Sequence, residues 1–268
     1  MPLRQTRHGG LVPTPTQRSA HAPATELADG WLQIVDPRDR DPKRDLHPDS
    51  PLELVLLDMD GTLTKGSCWE DLHHAFGVSN QTNWERYQHG ELDDVEFMRS
   101  DIALWRVGKG QDIHLDELLP VLDAIPYLDG AREVVAGLRE RGIATCILSG
   151  GLDLLARRVC LELGIDMYVA NGLRLTDTHH LQGDGILYVE VRDKASVARQ
   201  VLHRLGVPKQ RTASVGNSAY DVPMFQETGF GVAFNPSDNW VRKHARHVVE
   251  APDMRPVLAH LLASGHMT

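Results

Sequence analysis

The chain has 268 residues and a mass of 29.8 kDa, which suits one core domain with an insertion and a sizeable apolar interior. Its net charge of −9 excludes a non-specific nucleic-acid binder, and no apolar run approaches the roughly 20 residues of a membrane span. Three separated cysteines argue against a disulfide framework or zinc finger and favour a reducing, cytoplasmic location.

The first 50 residues are rich in Pro, Thr, Ser, Gly and charged residues and show no sustained apolar period. We interpret residues 1–50 as a disordered tail or an overextended start. A transit peptide is the less favoured alternative, although the first 25 residues contain three arginines and no acid. One apolar patch, residues 31–35, is a candidate to dock on the folded part.

Order is predicted to begin at Leu52, where a continuous apolar run ends at an Asp-Gly turn. Similar runs predict strands at 143–148, 212–215, 231–234 and 247–249. Amphipathic segments that end at glycine predict helices at 130–141, 152–163 and 194–205. Residues 168–192 predict a β-hairpin or flap. The alternation predicts an α/β core with a doubly wound parallel sheet over 51–66 and 125–268.

Residues 67–124 interrupt this alternation. Short helices are predicted there at 69–76, 84–88, 95–105 and 115–122, with no strand between them. We therefore predict a helical cap inserted after the first strand. The cap contains four basic and twelve acidic residues, so it carries −8 of the net charge.

Two aspartates follow the first predicted strand in the sequence Asp58-Met59-Asp60-Gly61-Thr62. In open α/β sheets ligands bind at the carboxyl ends of strands, and residues i and i+2 of extended chain project to the same side. Two neighbouring carboxylates repel each other unless a cation lies between them, and hard oxygen ligands suit Mg²⁺. One carboxylate can also attack an electrophile. A solvated acidic turn is the alternative.

Three further motifs follow later strands. Ser149 and Gly150 precede a predicted helix, where backbone N–H groups bind phosphate, or where the serine is simply a helix cap. Lys194 begins a helix, a position that opposes the helix dipole unless the ammonium meets an anion; a surface lysine is the alternative. Asn217 and Asp221 lie in a turn after the next strand and are candidates to complete a metal shell.

The order and spacing of these four motifs resemble the haloacid dehalogenase-like hydrolases from about Leu52 to Leu262. Residues 215–234 resemble the phosphoserine phosphatase-like branch, which also has a helical cap after the first motif. The resemblance implies Mg²⁺-dependent hydrolysis of a small phosphomonoester. Asp58 would be the nucleophile that forms an aspartyl-phosphate, and Asp60 the general acid and then the base. The implied phosphate-binding residues are Thr62, Ser149, Gly150 and Lys194. The implied Mg²⁺-binding residues are Asp58, Asp60, Asn217 and Asp221, the last through a bound water.

The sequence departs from the family pattern at one metal-binding position and at the positions that bind the substrate. Asn217 stands where family members usually have Asp, which removes a charge and opens the alternative of a metal-weakened, non-enzymatic binding module. Phosphoserine-specific members carry a Glu and a cap Arg for the substrate. The residues at and near those positions are Ser67, Glu70, Asp71, Arg99 and Asp101.

We therefore expect a phosphatase for a small phosphorylated metabolite, such as a sugar, amino-sugar or cyclitol phosphate, with phosphoserine as the alternative substrate. We interpret the negative charge of the cap as solvated outer faces of helices. The alternative is an acidic wall of the substrate pocket near Glu70, Asp71 or Asp101, which would bind an amine in preference to a carboxylate. His73 and His74 are interpreted as surface or half-buried helix residues. The oligomeric state is left open.

Overall fold

The computed structural model describes residues 30–35 and 52–264 of the chain. Most of the predicted tail therefore lies outside the described residues. Within the described ranges, no helix combines the length and the apolar character that crossing a lipid bilayer requires.

The core is an eight-stranded mixed sheet. Its strands are β1 (Gln33–Ile34), β2 (Leu54–Leu57), β3 (Ala144–Leu152), β4 (Met167–Leu175), β5 (Leu181–Ile186), β6 (Thr212–Gly216), β7 (Phe230–Phe234) and β8 (His247–Val249). The order is β1-β4-β3-β2-β6-β7-β8, and β5 pairs with β4. Strands β1 and β5 run antiparallel to β4, and the other neighbouring pairs are parallel. The strand order reverses next to β2, where open α/β sheets bind ligands.

Helices cover both faces of this sheet. In chain order they are α1 (Cys68–Ala75), α2 (Gln81–Gln88), α3 (Asp94–Lys109), α4 (Leu115–Ala124), α5 (Ala131–Arg139), α6 (Asp153–Leu163), α7 (Lys194–Leu205), α8 (Val222–Glu227), α9 (Asn239–His244) and α10 (Arg255–Ser264). Val55 and Leu57 of β2 pack in the cluster of α5, α6 and α10, whereas Leu54 and Leu56 pack in that of α7, α8 and α9. Burial on both faces explains the uninterrupted apolar run of β2 and confirms the predicted doubly wound core.

The cap consists of α1 to α4, as predicted. Its longest helix, α3, begins with a capping box in which Asp93 and Glu96 satisfy each other's backbone N–H groups, and it ends at Gly110 in a left-handed conformation. Trp105 of α3 is fully buried, and its ring stacks on that of Trp69 at 5.4 Å between centroids. These aromatic contacts fix α1 against α3.

The structure differs from the sequence predictions in two connections. The predicted hairpin is present as the antiparallel pair of β4 and β5, and its turn lies at residues 176–180. The turn-like sequences that predicted it, Asn171-Gly172 and Gly183-Asp184-Gly185, lie within the strands instead. Residues 33–34 of the predicted tail are not disordered: they form β1, and the Val35 N–H donates to the Asp166 carbonyl at 2.9 Å. The apolar patch therefore extends the edge of the sheet.

Candidate active site

The first motif leaves β2 at the centre of the carboxyl edge of the sheet. The Asp58 N–H donates to the Val215 carbonyl on β6 at 2.9 Å, so strand pairing fixes the position of Asp58. The chain then turns around the Met59 carbonyl, which accepts from the N–H groups of residues 62–64. Gly61 has a φ of +77°, a left-handed conformation that glycine adopts without steric cost. This tight turn leaves the side chains of Asp58 and Asp60 lining one cavity.

A buried ion-pair network surrounds Asp58. Lys194 Nζ donates to Asp58 Oδ1 and to Asp221 Oδ1, both at 2.7 Å, and Thr62 Oγ1 donates to Asp58 Oδ2 at 3.1 Å. Lys194 is only 3% exposed, which excludes the surface-lysine alternative. Burial, followed by the charge of Asp221, raises the pKa of Asp58 to about 7, against the effect of Lys194. Burial acts to lower the pKa of Lys194, but Asp221 and Asp58 raise it above its ordinary value.

Asp60 has a different environment. Its Oδ2 accepts from the Cys68 N–H at the start of α1 at 3.1 Å, and within the described ranges its buried Oδ1 has no hydrogen-bond partner. Burial raises the pKa of Asp60 to about 6, against the hydrogen bonds from Cys68. A carboxyl group with a pKa near neutrality can donate a proton and later accept one, which suits the predicted acid–base role.

The Ser-Gly-Gly motif forms an irregular stretch near the end of β3. Its residues, 149–151, lie between the paired residues Leu148 and Leu152, where the register between β3 and β4 shifts. The motif precedes helix α6, which begins at Asp153 with Leu152 at the N-cap position, so Ser149 is not a cap of this helix. Ser149 Oγ accepts from the Gly151 N–H at 3.1 Å and keeps its own proton for donation. A side chain on Gly151 would lie 3.0 Å from Asp60 Oδ2, so glycine allows this close approach.

The loop after β6 brings Asn217 and Asp221 to the same edge. Asp221 Oδ2 accepts from the N–H groups of Asn217 (2.9 Å) and Ser218 (3.0 Å) and from the Ser218 hydroxyl (3.1 Å). Its Oδ1 accepts from Lys194. With four hydrogen bonds from protein groups, Asp221 anchors the loop and Lys194. Its expected support of the metal through a bound water stays a prediction. A methyl group on Gly61 would collide with the Asn217 amide, so Asn217 packs against the turn of the first motif.

The donors beside Asp58 fit a Mg²⁺ ion. They are the Asp58 carboxylate, the main-chain carbonyl of Asp60 and the amide oxygen of Asn217, all hard oxygen ligands. In the part of the chain that the structure describes, no group of three His, Cys, Asp or Glu side chains is placed to hold a metal ion, and this donor set contains a single carboxylate side chain. The buried Oδ1 of Asp60 has no hydrogen-bond partner among the described residues, so it is available to a ligand or a water molecule.

The raised pKa values predict that the metal-free protein loses stability as the pH rises. Asp58 and Asp60 hold their protons more tightly in the folded state, at about 7 and about 6 against an ordinary value of 3.8. Their contribution to stability is complete below about pH 4 and is lost as the pH rises through 6 and 7. In EDTA the thermal midpoint should therefore fall between pH 5 and pH 8, and Mg²⁺ should restore it at pH 8. A midpoint that stays constant over this range contradicts the assignment.

A cavity of about 620 Å³ lies between the sheet edge and the cap. The cap is closed over it: Trp69 Nε1 donates to the Gly150 carbonyl at 3.2 Å, and the Val191 N–H donates to Asp94 Oδ1 at 2.9 Å. The rings of Trp84 on the cap and Tyr220 on the core lie 6.1 Å apart, edge to face. These contacts hold the cap against the core at the edge of the cavity.

The structure separates the five predicted specificity residues into two groups. Ser67, Glu70 and Asp101 line the cavity. Asp71 and Arg99 do not, and Arg99 donates instead to both carboxylate oxygens of Asp184 on β5, at 3.1 and 3.3 Å.

His73 was missed as a site residue. The sequence interpretation placed it on a helix surface or half-buried, but it is 8% exposed, it lines the cavity, and its Nε2 lies 2.9 Å from Asp101 Oδ1. Asn80 also lines the cavity and donates to the same oxygen of Asp101 at 2.6 Å. His73 follows Trp69 by four positions, so the two side chains share one face of α1, and this spacing could have indicated that His73 faces the cavity. No pattern in the sequence indicates that His73 would meet Asp101 on α3.

A protein-family model of the haloacid dehalogenase-like hydrolases matches residues 52–229. The chain therefore belongs to the haloacid dehalogenase-like hydrolases. Its relatives place it on the phosphoserine phosphatase-like branch. A probable phosphoserine phosphatase of Schizosaccharomyces pombe is 31% identical over 189 residues, 68% of this chain and 61% of that protein. A phosphoserine phosphatase of Methanocaldococcus jannaschii is 23% identical over 214 residues, 78% of this chain and 97% of that protein.

Solved structures agree with this placement. A phospho-aspartyl intermediate analogue of phosphoserine phosphatase superposes with a TM-score of 0.67 at 24% identity, covering 78% of this chain and 99% of that one, which shows a shared fold. A probable phosphoserine phosphatase of Vibrio cholerae superposes with a TM-score of 0.67 at 25% identity, and the match covers 83% of this chain and 67% of that one. The chain spans 61% of the Schizosaccharomyces pombe relative and 53% of an Archaeoglobus fulgidus phosphoserine phosphatase.

Proposed function

We propose that this chain is a Mg²⁺-dependent phosphatase that hydrolyses a small phosphomonoester through an aspartyl-phosphate. The observation that carries the proposal is the position of Asp58 between Lys194 and Thr62 on the floor of a capped cavity. The names of the relatives favour phosphoserine over the sugar, amino-sugar and cyclitol phosphates expected from the sequence. Phosphoserine is therefore the first substrate to test.

The reaction follows from the residues in the cavity. A carboxylate oxygen of Asp58 attacks phosphorus while the bond from phosphorus to the leaving oxygen breaks, and Asp60 gives its proton to that oxygen. In the second half Asp60 takes a proton from water, which attacks phosphorus and frees Asp58. Lys194, the Ser149 hydroxyl and the Gly150 N–H hold the phosphoryl oxygens throughout. Bound Mg²⁺, held by Asp58, the Asp60 carbonyl and Asn217, supplies further neutralisation of phosphoryl charge.

The direct test is phosphate release from a panel of phosphorylated metabolites that includes phosphoserine, with Mg²⁺ and with EDTA. We expect release from at least one small phosphomonoester, lost in EDTA and restored by Mg²⁺. The absence of release from every substrate overturns the proposal and supports the binding-module alternative. Transfer of the phosphoryl group to an alcohol without free phosphate would identify a phosphotransferase instead.

Replacing Asn217 with aspartate should strengthen Mg²⁺ binding. The substitution adds one negative charge beside the ion without lengthening the side chain, so the Mg²⁺ concentration for half-maximal phosphate release should fall about tenfold. Asn239→Asp, an exposed position on α9, adds the same charge away from the cavity and should leave the Mg²⁺ dependence unchanged. An unchanged Mg²⁺ dependence in Asn217→Asp would show that residue 217 does not contact the metal.

A further inference from the structure

We infer that the cap end of the cavity recognises a cationic amine on the leaving group, through Asp101 and Glu70, and offers no matching site for a carboxylate. This inference rests on the proposed phosphatase function and names its substrate class, the phosphate esters of small amino alcohols. Such a substrate carries the phosphate to Asp58 and its ammonium group to the cap.

Asp101 is the central residue of this end of the cavity. It is 2% exposed on α3 and lines the cavity. Asn80 Nδ2 and His73 Nε2 approach it at 2.6 and 2.9 Å, and both reach the same oxygen, Oδ1. Among the described residues nothing else engages the carboxylate, so Oδ2 remains for a ligand. A buried carboxylate with unused acceptor capacity favours a hydrogen-bonding cation.

His73 provides a second, independent observation at the cap end of the cavity. Its Nε2 is buried and close to Asp101, but the contact is not aligned as a hydrogen bond, and within the described ranges this atom has no other partner. Buried polar groups are normally satisfied by protein or water. Two adjacent buried groups with unused hydrogen-bonding capacity, both lining the cavity, therefore indicate a binding wall and not a closed structural pair.

The positive side chains nearby are used elsewhere. Lys194 is the only lysine or arginine that lines the cavity among the described residues, and it is shared between Asp58 and Asp221. The cap arginines pair outside the cavity: Arg86 with Glu91, Arg99 with Asp184 and Arg106 with Asp112. Apart from Lys194, the only basic side chains that line the cavity among the described residues are His73 and His74. Three acidic side chains of the cap also line it: Asp101, Glu70 and Asp94. Charge complementarity therefore favours an amine without a carboxylate.

The test compares three phosphate esters with a common two-carbon chain: O-phosphoethanolamine, O-phosphoserine and ethyl phosphate. The first two differ by a carboxylate, and the first and third differ by an ammonium group. We expect kcat/KM for O-phosphoethanolamine to exceed that for each of the others by about tenfold. A kcat/KM for O-phosphoserine that equals or exceeds it overturns the inference but keeps the phosphatase function. A kcat/KM for ethyl phosphate equal to that for O-phosphoethanolamine also overturns the inference. Phosphate release from none of these three esters overturns the inference, whereas the phosphatase function is overturned only if the whole metabolite panel also gives no release.

Substitutions at the cap end of the cavity test whether its carboxylates cause this preference for an amine. Asp101→Asn, which keeps an oxygen for Asn80, should lower kcat/KM for O-phosphoethanolamine, through KM, about tenfold more than it lowers kcat/KM for ethyl phosphate. Glu70→Gln alters an exposed side chain and should act in the same direction by about threefold. Asp123→Asn on α4 makes the same charge change at an exposed position outside the cavity and should change neither substrate. Equal losses for both esters in Asp101→Asn overturn the assignment.

Discussion

Replacing Asp58 with asparagine should lower kcat/KM for phosphate release by about 10⁴-fold or more, because the amide has no oxygen nucleophile to attack phosphorus. The variant should nevertheless fold. Burial raises the pKa of Asp58 to about 7, so the folded protein does not favour the charged carboxylate, and a neutral amide of the same shape removes that conflict. The measurement is steady-state release, combined with intact-mass detection of a phosphorylated enzyme after acid quench. The wild type should gain one phosphoryl group and the variant none.

A matched control separates this effect from a general loss of charge. Asp129→Asn removes a carboxylate that forms an ion pair with Lys65, at 3.4 Å across an exposed contact. It should retain full activity. Release from Asp58→Asn at the wild-type rate, in a preparation free of other phosphatases, would refute the assignment of the nucleophile. Equal losses in both variants would point to a disturbed fold.

The core could be predicted because its signals are local. The apolar run of β2 reflects burial on two faces, and glycines such as Gly164 and Gly206 take left-handed conformations, with φ of +81° and +71°, at the ends of α6 and α7. Both patterns depend on neighbours within a few residues of the chain. The cap helices were predicted for the same reason, since each carries its own apolar face.

The partners within the site could not be predicted, because they meet only in the folded chain. Lys194 lies 136 residues from Asp58 in the sequence and still donates to its Oδ1. The position of Lys194 at the start of α7 indicated an anionic partner, but not that Asp221 would be one of two. Sequence analysis therefore assigned Asp221 to the metal, and its four hydrogen bonds to protein groups became visible only in three dimensions.

The charge of the cap illustrates the same limit. Of its twelve acidic residues, three line the cavity: Glu70, Asp94 and Asp101. Asp94 accepts from the Tyr87 hydroxyl at 3.0 Å and from the Val191 N–H at 2.9 Å, both at Oδ1, and these contacts tie the cap to the core. The net charge of −8 is therefore mostly a property of outer helix faces, and its bearing on the substrate reduces to these three carboxylates. Counting charges along the chain could not separate the three from the others.

Replacing Lys194 with methionine should lower both activity and stability. The substitution removes the only ammonium group between two buried carboxylates, Asp58 and Asp221, at a site where each lies 2.7 Å from Nζ. Breaking a buried pair leaves uncompensated charge, which costs about 3–5 kcal/mol in the free energy of unfolding. The loss should be larger at pH 8 than at pH 5.5, because protonation of Asp58 at the lower pH removes one of the two charges. Urea unfolding of the variant and the wild type at both pH values measures this loss in the free energy of unfolding.

Activity should fall in the same variant by about 10³-fold, because the phosphoryl oxygens lose their fixed positive charge. Lys65→Met is the matched control: its ammonium group meets Asp129 at 3.4 Å on the surface, so its removal should change the free energy of unfolding by no more than about 0.5 kcal/mol. A Lys194→Met protein as stable at pH 8 as the wild type would show that Asp58 and Asp221 are not both charged in the folded state. A stability loss independent of pH would show that packing of the lysine stem, and not charge, is what the site requires.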